Sequence, residues 1–310
     1  MPFALRRHLL MEQRAFLARD RHPWREHLLR ARAWLGEGLA SAPRDRPCVV
    51  LGAGWGLEVP WSLAPPGTWG WDADPLSRLG TLLRHRRWAP WRFDDFTGGL
   101  RDLAAAAHRC ARDARGGRHR DPIAGARRLA GILPTFKPTA APLRAWVEAH
   151  RPGAIVSANV MGQLGPVGQA LIRRAFHPVN PFELPDEASE LLAEALDLWT
   201  AAAVRAVLQV LAESGAEVCL LHDRGVAWGG AEPQPLGPWR DPWMAQLPMG
   251  HWEVSDALGD VEVGGCFEGT HATRARERWW WPVGPNQLHL VEAWRLAPQA
   301  GLNPASAPLA

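Results

Sequence analysis

A short apolar run followed by three alternating glycines is the strongest indication of the fold in this chain. Cys48–Leu51 reads as a buried strand, and Gly52, Gly54 and Gly56 follow it as a tight turn that leads toward a helix. A second predicted strand at 68–72 ends in a carboxylate twenty positions after the first glycine. In a parallel α/β sheet this spacing delivers an acid to ribose hydroxyls. The segment therefore predicts an α/β fold with a ligand site at the strand ends.

A third segment places carboxylates at another expected strand end. Residues 91–93 are followed by Asp94 and Asp95, and either side chain can face the crevice and accept the amino group of an adenine. A nicotinamide dinucleotide fold also combines a glycine turn with a later acid, but its fingerprint spaces the glycines G-x-G-x-x-G. Leu57 stands at the last required position here. The spacing therefore favours an adenosyl cofactor over a dinucleotide.

A turn motif at 70–75 strengthens this interpretation. Its sequence, Gly-Trp-Asp-Ala-Asp-Pro, resembles the turn after the second strand of class I S-adenosylmethionine-dependent methyltransferases. More narrowly, the runs at 51–54, 95–98 and 157–164 resemble a group of bacterial methyltransferase-like proteins. The resemblance covers roughly residues 47–164. It implies a Rossmann-like methyltransferase fold with a mostly parallel sheet, antiparallel C-terminal strands and an N-terminal helical extension.

The resemblance also implies a cofactor site. Gly52, Gly54 and Gly56 match the glycine turn that lies against the methionine part of S-adenosylmethionine. Asp72 matches the acid that binds the ribose, and Asp95 matches the acid on the adenine side, with its neighbour in the doublet as the alternative. The implied reaction is methyl transfer to an unidentified small-molecule substrate.

One position departs from the family pattern. The family usually has an acidic residue two positions before the first glycine, where this chain has Val50. Glu58, in the helix expected after the glycine turn, is a candidate for supplying that charge. Because the usual contact to the cofactor's amino group is altered, a non-catalytic protein that keeps the fold for binding or scaffolding is an alternative to the enzyme. A nicotinamide-dependent oxidoreductase is a further alternative.

Candidate catalytic residues follow the fourth and fifth predicted strands. Asn159 and Gln163 are placed to hydrogen-bond a substrate, although Asn159 is equally suited to cap the next helix. His222 and Asp223 end the fifth strand and form either a general-base pair or a structural pair. No metal site is expected, because no second pair completes the Cys219/His222 spacing and strand alternation puts those two side chains on opposite faces.

The expected organisation is one elaborated α/β domain, since 310 residues with a hydrophobic fraction of 47% can bury a substantial core. The irregular segment is expected at 122–142. The expected units are a helical extension (1–46), an α/β domain (47–297) with insertions near 116–142 and 224–258, and a flexible tail (298–310). Helices are expected twice within 4–40 and at 75–86, 99–113, 143–150 and 186–214, and further strands at 153–157, 217–222, 259–267, 277–282 and 287–296.

Net charge and cysteine spacing limit the kinds of partner and the cellular compartment that the sequence predicts. The net charge is only +3, and the basic clusters at 84–87 and 112–120 lack interleaved aromatic residues, so we interpret them as solvated helix ends rather than a nucleic-acid surface. The four cysteines have no paired spacing, which indicates reduced thiols.

No signal peptide or apolar twenty-residue run is recognised, so a cytoplasmic protein without membrane association is expected. The oligomeric state is left open.

Overall fold

Eight strands form one mixed sheet in the computed structural model, which describes residues 24–116, 121–176, 186–230, 251–258, 260–284 and 287–299. Strands β1 to β5 are parallel and lie in the order β3-β2-β1-β4-β5, with β8 and then β7 added antiparallel beyond β5. The sheet consists of β1 (Cys48–Leu51), β2 (Trp69–Trp71), β3 (Trp91–Arg92), β4 (Ala154–Ala158), β5 (Glu217–Gly230), β6 (His251–Asp256), β7 (His271–Gly284) and β8 (Gln287–Pro298). The predicted α/β class with a mostly parallel sheet is confirmed.

Helices cover both faces of this sheet. They are α1 (Arg25–Ser41), α2 (Ser77–His85), α3 (Leu100–Gly116), α4 (Pro122–Ile132), α5 (Ala141–His150), α6 (Leu164–Phe176), α7 (Asp186–Glu213) and the single turn α8 (Val263–Cys266). Short 3₁₀ turns occupy Leu133–Thr135 and Met161–Gln163. Of the two helices expected within 4–40, the second is α1, and the first lies outside the described residues.

Alternation along the strands builds two cores. Val49 and Leu51 of β1 face the layer made by α3 to α7, whereas Cys48 and Val50 face α1. Because successive side chains of a strand point to opposite faces, a fully apolar strand is the pattern needed for a sheet covered on both sides. The central strands are therefore held between two hydrophobic layers, and their carboxyl ends share one edge.

The segment after β1 contradicts the expectation of a helix. Residues 52–68, all of them described, form turns and contain no helix. Only residues 57–59 separate the glycine turn from Pro60, and the residue before a proline is disfavoured in helical conformation. Helix α1 covers this face instead, with Trp34 and Leu35 fully packed in the core on that side. The crossover from β1 to β2 is consequently a loop.

Arg87 anchors this loop. Its guanidinium donates hydrogen bonds to the carbonyl oxygens of Ala64 at 2.7 Å and Pro65 at 2.6 Å, and also to that of Trp61. The loop has only short-range turn hydrogen bonds of its own, and the arginine fork adds a further donor at each of these three carbonyl oxygens. Arg87 belongs to the basic cluster at 84–87, which the sequence analysis interpreted as a solvated helix end. It instead holds the loop after β1 in place. Part of the second cluster, 117–120, lies outside the described residues.

The region expected to be irregular at 122–142 contains a regular helix. Asp121 accepts a hydrogen bond from the backbone N–H of Ala124 at 2.9 Å, and Pro122 occupies the first turn of α4. An aspartate N-cap followed directly by proline is a recognised helix start, so this signal was present in the sequence. The helix packs Ala126 and Leu129 into the core beneath α3 and α7.

The C-terminal part differs from prediction in three places. The strands expected at 277–282 and 287–296 are confirmed within β7 and β8, but the expected strand at 259–267 is wrong over its described part. Those residues form turns and the short helix α8, and they bury the side chains of Val261, Val263 and Phe267 in the core. Strand β5 runs on to Gly230 instead of ending near His222, and β6, which was not expected, pairs with its extension. Residues 231–250 and 300–310 lie outside the described residues.

One helix meets the length and composition of a membrane span. Within α7 the segment Ser189–Glu213 contains an 18-residue window with a mean hydropathy of 1.4, a candidate that the sequence interpretation did not recognise. However, 67% of its apolar window is buried inside the protein. A core helix of a folded domain meets the same criteria.

Candidate functional site

A cavity of about 780 Å³ lies at the carboxyl ends of the parallel strands. It extends from the loop after β1, past the ends of β2, β3 and β4, to β5, β6 and β8, with α6 and α7 along one side. This edge is where open α/β sheets bind their ligands, and the volume lies within the range of about 300–1,000 Å³ typical of small-molecule sites. All five proposed cofactor residues line this cavity, as do Asp94, Asn159 and Asp223.

The glycine turn has the backbone that the sequence predicts. Gly52, Gly54 and Gly56 have φ values of +64°, +48° and +69°, a region that side chains with a Cβ avoid. At Gly52 a Cβ would also lie 2.5 Å from the Cβ of Val160. The turn is therefore pressed against the end of β4, and its bare backbone forms part of the cavity wall.

Asp72 links the turn to the end of β2. Its carboxylate accepts hydrogen bonds from the backbone N–H of Gly54 and of Asp74, each at 2.8 Å. Burial raises the pKa of Asp72 to about 6, and these hydrogen bonds only partly offset that effect. The side chain is positioned by two neighbouring loops and titrates close to neutral pH.

Asp94 and Asp95 both line the cavity but have different partners. Asp95 accepts hydrogen bonds from the backbone N–H groups of Thr97 at 2.9 Å and Leu100 at 2.8 Å, so it organises the entry to α3. Asp94 forms an ion pair with Arg92 at 2.5 Å. The sequence did not decide which of the two carboxylates faces the crevice. In the structure Asp95 accepts hydrogen bonds from the backbone, Asp94 pairs with Arg92, and both line the cavity.

Glu58 brings a carboxylate to the loop that follows the glycine turn. Val50 is fully buried in β1, whereas Glu58 lines the cavity from the loop and lies 3.0 Å from Nε2 of His27. The imidazole of His27 stacks on Trp281, with 3.9 Å between ring centroids. Helix α1 therefore holds Glu58 in place, although Glu58 itself does not lie on a helix.

Asn159 does not cap the following helix, so that interpretation was wrong. Its Oδ1 accepts a hydrogen bond from the backbone N–H of Asp223 at 3.0 Å, and its own N–H donates to Leu221 at 2.7 Å. It has a φ of +50°, a conformation that asparagine tolerates better than most residues. Asn159 ties the end of β4 to β5 at the cavity edge.

The predicted pair of His222 and Asp223 is divided between the two faces of the sheet. His222 is fully buried on the far side from Asp223, 3.4 Å from Oε2 of Glu292, and it does not line the cavity. The reason is strand alternation, since β5 continues through both residues and their side chains point in opposite directions. The prediction that these two act together was wrong. The same alternation separates His222 from Cys219, as expected.

Asp223 has a different histidine partner. Its Oδ2 accepts hydrogen bonds from Nδ1 of His289 and Nε2 of Gln163, each at 3.0 Å. Burial alone would raise the pKa of Asp223, but the adjacent His289 outweighs this and lowers it. Sequence reasoning missed this role of His289. The alternation of Gln287 and His289 in a predicted strand, which puts two polar side chains on one face, was the available signal.

The cavity wall is acidic. Among the described residues that line it there is no lysine or arginine, and His289 is the one basic side chain. This contrasts with a chain that carries 35 lysines and arginines. Asp94 and Asp256 have arginine partners outside the wall, while the others lack that compensation in the described contacts. The lining carboxylates are Glu58, Asp72, Asp94, Asp95, Asp197, Asp223 and Asp256.

Neither metal-ligand clustering nor similarity to known proteins narrows the function. No group of three or more histidine, cysteine, aspartate or glutamate side chains suited to a metal occurs in the described part of the chain. No known protein family matches the sequence, and no curated protein is significantly similar to it. A functional proposal must therefore rest on the chemistry of the cavity residues.

Proposed function

We propose that this protein is an S-adenosylmethionine-dependent methyltransferase of small molecules, built on a Rossmann-like methyltransferase fold. One observation carries the proposal. The glycine turn, Asp72 and the Asp94–Asp95 doublet come from three neighbouring parallel strands and line one cavity. The antiparallel finish of the sheet beyond β5 agrees with the fold that the sequence resemblance implies.

The donor and acceptor groups of the cavity fit this cofactor. The carboxylate of Asp72 suits two ribose hydroxyls, and Asp94 or Asp95 suits an exocyclic adenine amine. Glu58 offers an acceptor for the amino group of the methionine part, where the chain lacks the usual acid. The bare backbone of the glycine turn leaves room beside these groups.

Charge and local structure favour S-adenosylmethionine over a nicotinamide dinucleotide. A dinucleotide fold places its pyrophosphate at the N-terminus of a helix that follows the glycine turn, and residues 52–68 contain no helix. A pyrophosphate would also face several carboxylates, and no lysine or arginine is among the described lining residues. A sulfonium with an ammonium group has the opposite charge, which suits this wall.

Little further chemistry is required of the protein. Bound S-adenosylmethionine supplies an electrophilic methyl group whose leaving group is a neutral thioether, so alignment of the acceptor is the main catalytic contribution. Asn159 and Gln163 order the junction of β4 and β5, and Trp281 adds an apolar wall that excludes water. The chain's role is to orient the acceptor toward the proposed cofactor end.

Calorimetric titration tests the proposal. We expect S-adenosylmethionine and S-adenosylhomocysteine to bind with Kd of about 100 μM or tighter, about −5.5 kcal/mol, and NAD not to bind. Asp72→Ala should abolish binding, whereas Asp113→Ala, on the exposed face of α3, should not alter it. If folded protein binds neither adenosyl ligand, the proposal fails and a non-catalytic scaffold is favoured. Binding of NAD in their place would favour the oxidoreductase.

A further inference from the structure

A second polar group lines the cavity at the end formed by β5 and β8. Strand β5 contributes Asp223, and β8 contributes Gln287 and His289. Trp228, half exposed at the end of β5, and the buried Trp281 flank them. This end of the cavity has acidic, basic and aromatic groups together, and the contacts proposed for an adenosyl cofactor do not use Asp223, Gln287 or His289.

The hydrogen bonds orient the imidazole ring of His289. Asp223 is an ionised carboxylate and can only accept, so Nδ1 of His289 carries the hydrogen of their 3.0 Å bond. The amide Nε2 of Gln287, 2.9 Å from Nε2 of His289, can only donate. Nδ1 of His289 therefore faces Asp223 and Nε2 lies on the opposite side of the ring, the arrangement of a base that a carboxylate orients.

Asp223 also has an acceptor that the protein leaves unused. Its side chain is 1% exposed, and Oδ1 has no hydrogen-bond partner among the described residues. A buried carboxylate oxygen without a donor is costly, so such atoms in native proteins call for a partner. Asp223 lines the cavity, so a donor group of a bound ligand is the candidate partner for this oxygen.

We propose that this end of the cavity binds the amino group of a small-molecule amine, with one N–H donated to Oδ1 of Asp223 and another to Nε2 of His289. The inference rests on the proposed methyltransferase function and names its substrate class. In the proton step an N–H bond of the bound ammonium breaks and its electron pair stays on nitrogen. The proton forms an N–H bond at Nε2 of His289, where the substrate has displaced the Gln287 amide. Asp223 then stabilises the imidazolium.

The number of hydrogens distinguishes an amine from other acceptors. A hydroxyl has one hydrogen and cannot donate to Oδ1 of Asp223 and Nε2 of His289 at once, whereas an ammonium has enough for both. Carboxylates and phosphates would meet the acidic wall without a lysine or arginine among its described residues. The half-exposed ring of Trp228 suits a cationic or aromatic substrate.

Three probes of similar shape test the inference: benzylamine, benzyl alcohol and benzoate. Each is titrated by calorimetry into the full chain saturated with S-adenosylhomocysteine and, separately, into the chain alone. We expect benzylamine to bind at least tenfold more tightly than the other two. Asp223→Asn should weaken benzylamine at least tenfold and leave the S-adenosylhomocysteine affinity within twofold. Asp113→Asn, which removes an exposed carboxylate outside the cavity, should change neither.

Imidazole ¹⁵N spectra give a second readout. His289 should be the Nδ1-protonated tautomer in the wild type and should lose that preference in Asp223→Asn. If Asp223→Asn does not fold, His289→Ala replaces it and should also weaken benzylamine, with exposed His108→Ala as its control. Benzylamine that binds no better than benzoate, or equally well in the folded variants, overturns the inference. Failure of S-adenosylhomocysteine to bind overturns the proposed function instead, because the titrations of the chain alone still report on the amine site.

Discussion

Asp223 accepts a 3.0 Å hydrogen bond from Nδ1 of His289, although the two residues are 66 positions apart in the chain. Asp223 lies opposite Val291 in the antiparallel pairing of β5 with β8, and His289 is two residues before Val291 on the same face. The two side chains are therefore diagonal neighbours across one strand pair. The return of β8 beside β5 builds this contact at the cavity.

The close approach of Gly162 to Asp223 predicts a destabilising substitution. A Cβ at Gly162 would lie 2.7 Å from the Cβ of Asp223 and 2.9 Å from its carbonyl oxygen, so Gly162→Ala must move β5. We expect it to lower the free energy of unfolding by about 2 kcal/mol in urea denaturation. Gly131→Ala in α4 is the matched control, because nothing lies within 4 Å of its added Cβ. Equal stability of the two variants would contradict the prediction.

The raised pKa of Asp72 predicts a pH dependence of cofactor binding. The carboxylate is ionised above its pKa of about 6 and protonated below it, and the ionised form is the better acceptor for ribose hydroxyls. The Kd of S-adenosylhomocysteine should therefore rise about tenfold between pH 7.5 and pH 5.0, in proportion to the lost ionised fraction. Calorimetry across that interval measures it. A Kd that stays constant would show that an ionised Asp72 is not required.

Replacing Glu292, which lies on the same face of the sheet as His222, should lower the free energy of unfolding substantially. Its buried carboxylate accepts hydrogen bonds from Arg276 at 2.5 Å and Arg278 at 2.7 Å, beside His222. Burial alone would raise the pKa of Glu292, but the His222 contact and the two arginines outweigh it and lower the pKa. Glu292→Gln should thus cost about 3 kcal/mol of unfolding free energy at pH 7.

The pH dependence of the stability difference between wild type and Glu292→Gln tests this explanation. A carboxylate whose pKa is lower when folded stabilises the protein above its unfolded pKa of about 4.3, and that contribution is lost as the pH falls. The stability difference between wild type and Glu292→Gln should therefore shrink in urea titrations at acidic pH. Glu187→Gln breaks an exposed ion pair with Arg127 and should cost less than about 1 kcal/mol. A cost at Glu292 no larger than this would refute the prediction.

The three carbonyl contacts of Arg87 predict that its replacement loosens the loop after β1. Arg87→Ala should lower the free energy of unfolding by about 2 kcal/mol, because hydrogen bonds to a charged donor are lost at partly buried carbonyls. Arg87→Lys should restore little, since one ammonium does not reproduce the guanidinium fork. Exposed Arg101→Ala on α3 serves as the control. Thermal denaturation of the four proteins distinguishes them, and equal melting temperatures for Arg87→Ala and Arg101→Ala would contradict the prediction.

The parts of the site that could be predicted are those encoded locally. The positive φ of Gly52, the strand before it and the position of Asp72 after β2 depend on a few neighbouring residues, so spacing and composition indicated them. The cap of α4 at Asp121 was equally local and was overlooked. The division of His222 from Asp223 also followed from strand alternation, once β5 was known to continue beyond them.

Short-range periodicity and backbone preference are enough to predict the α/β class, the glycine turn and the acids at the ends of β2 and β3. The packing of α1 in place of a helix after β1, and the pairing of Asp223 with His289, could be learned only from the folded chain. Those outcomes depend on which distant segments pack and on the register of β8 against β5. Strand register is set by the burial of whole faces, and no short stretch of sequence carries that information.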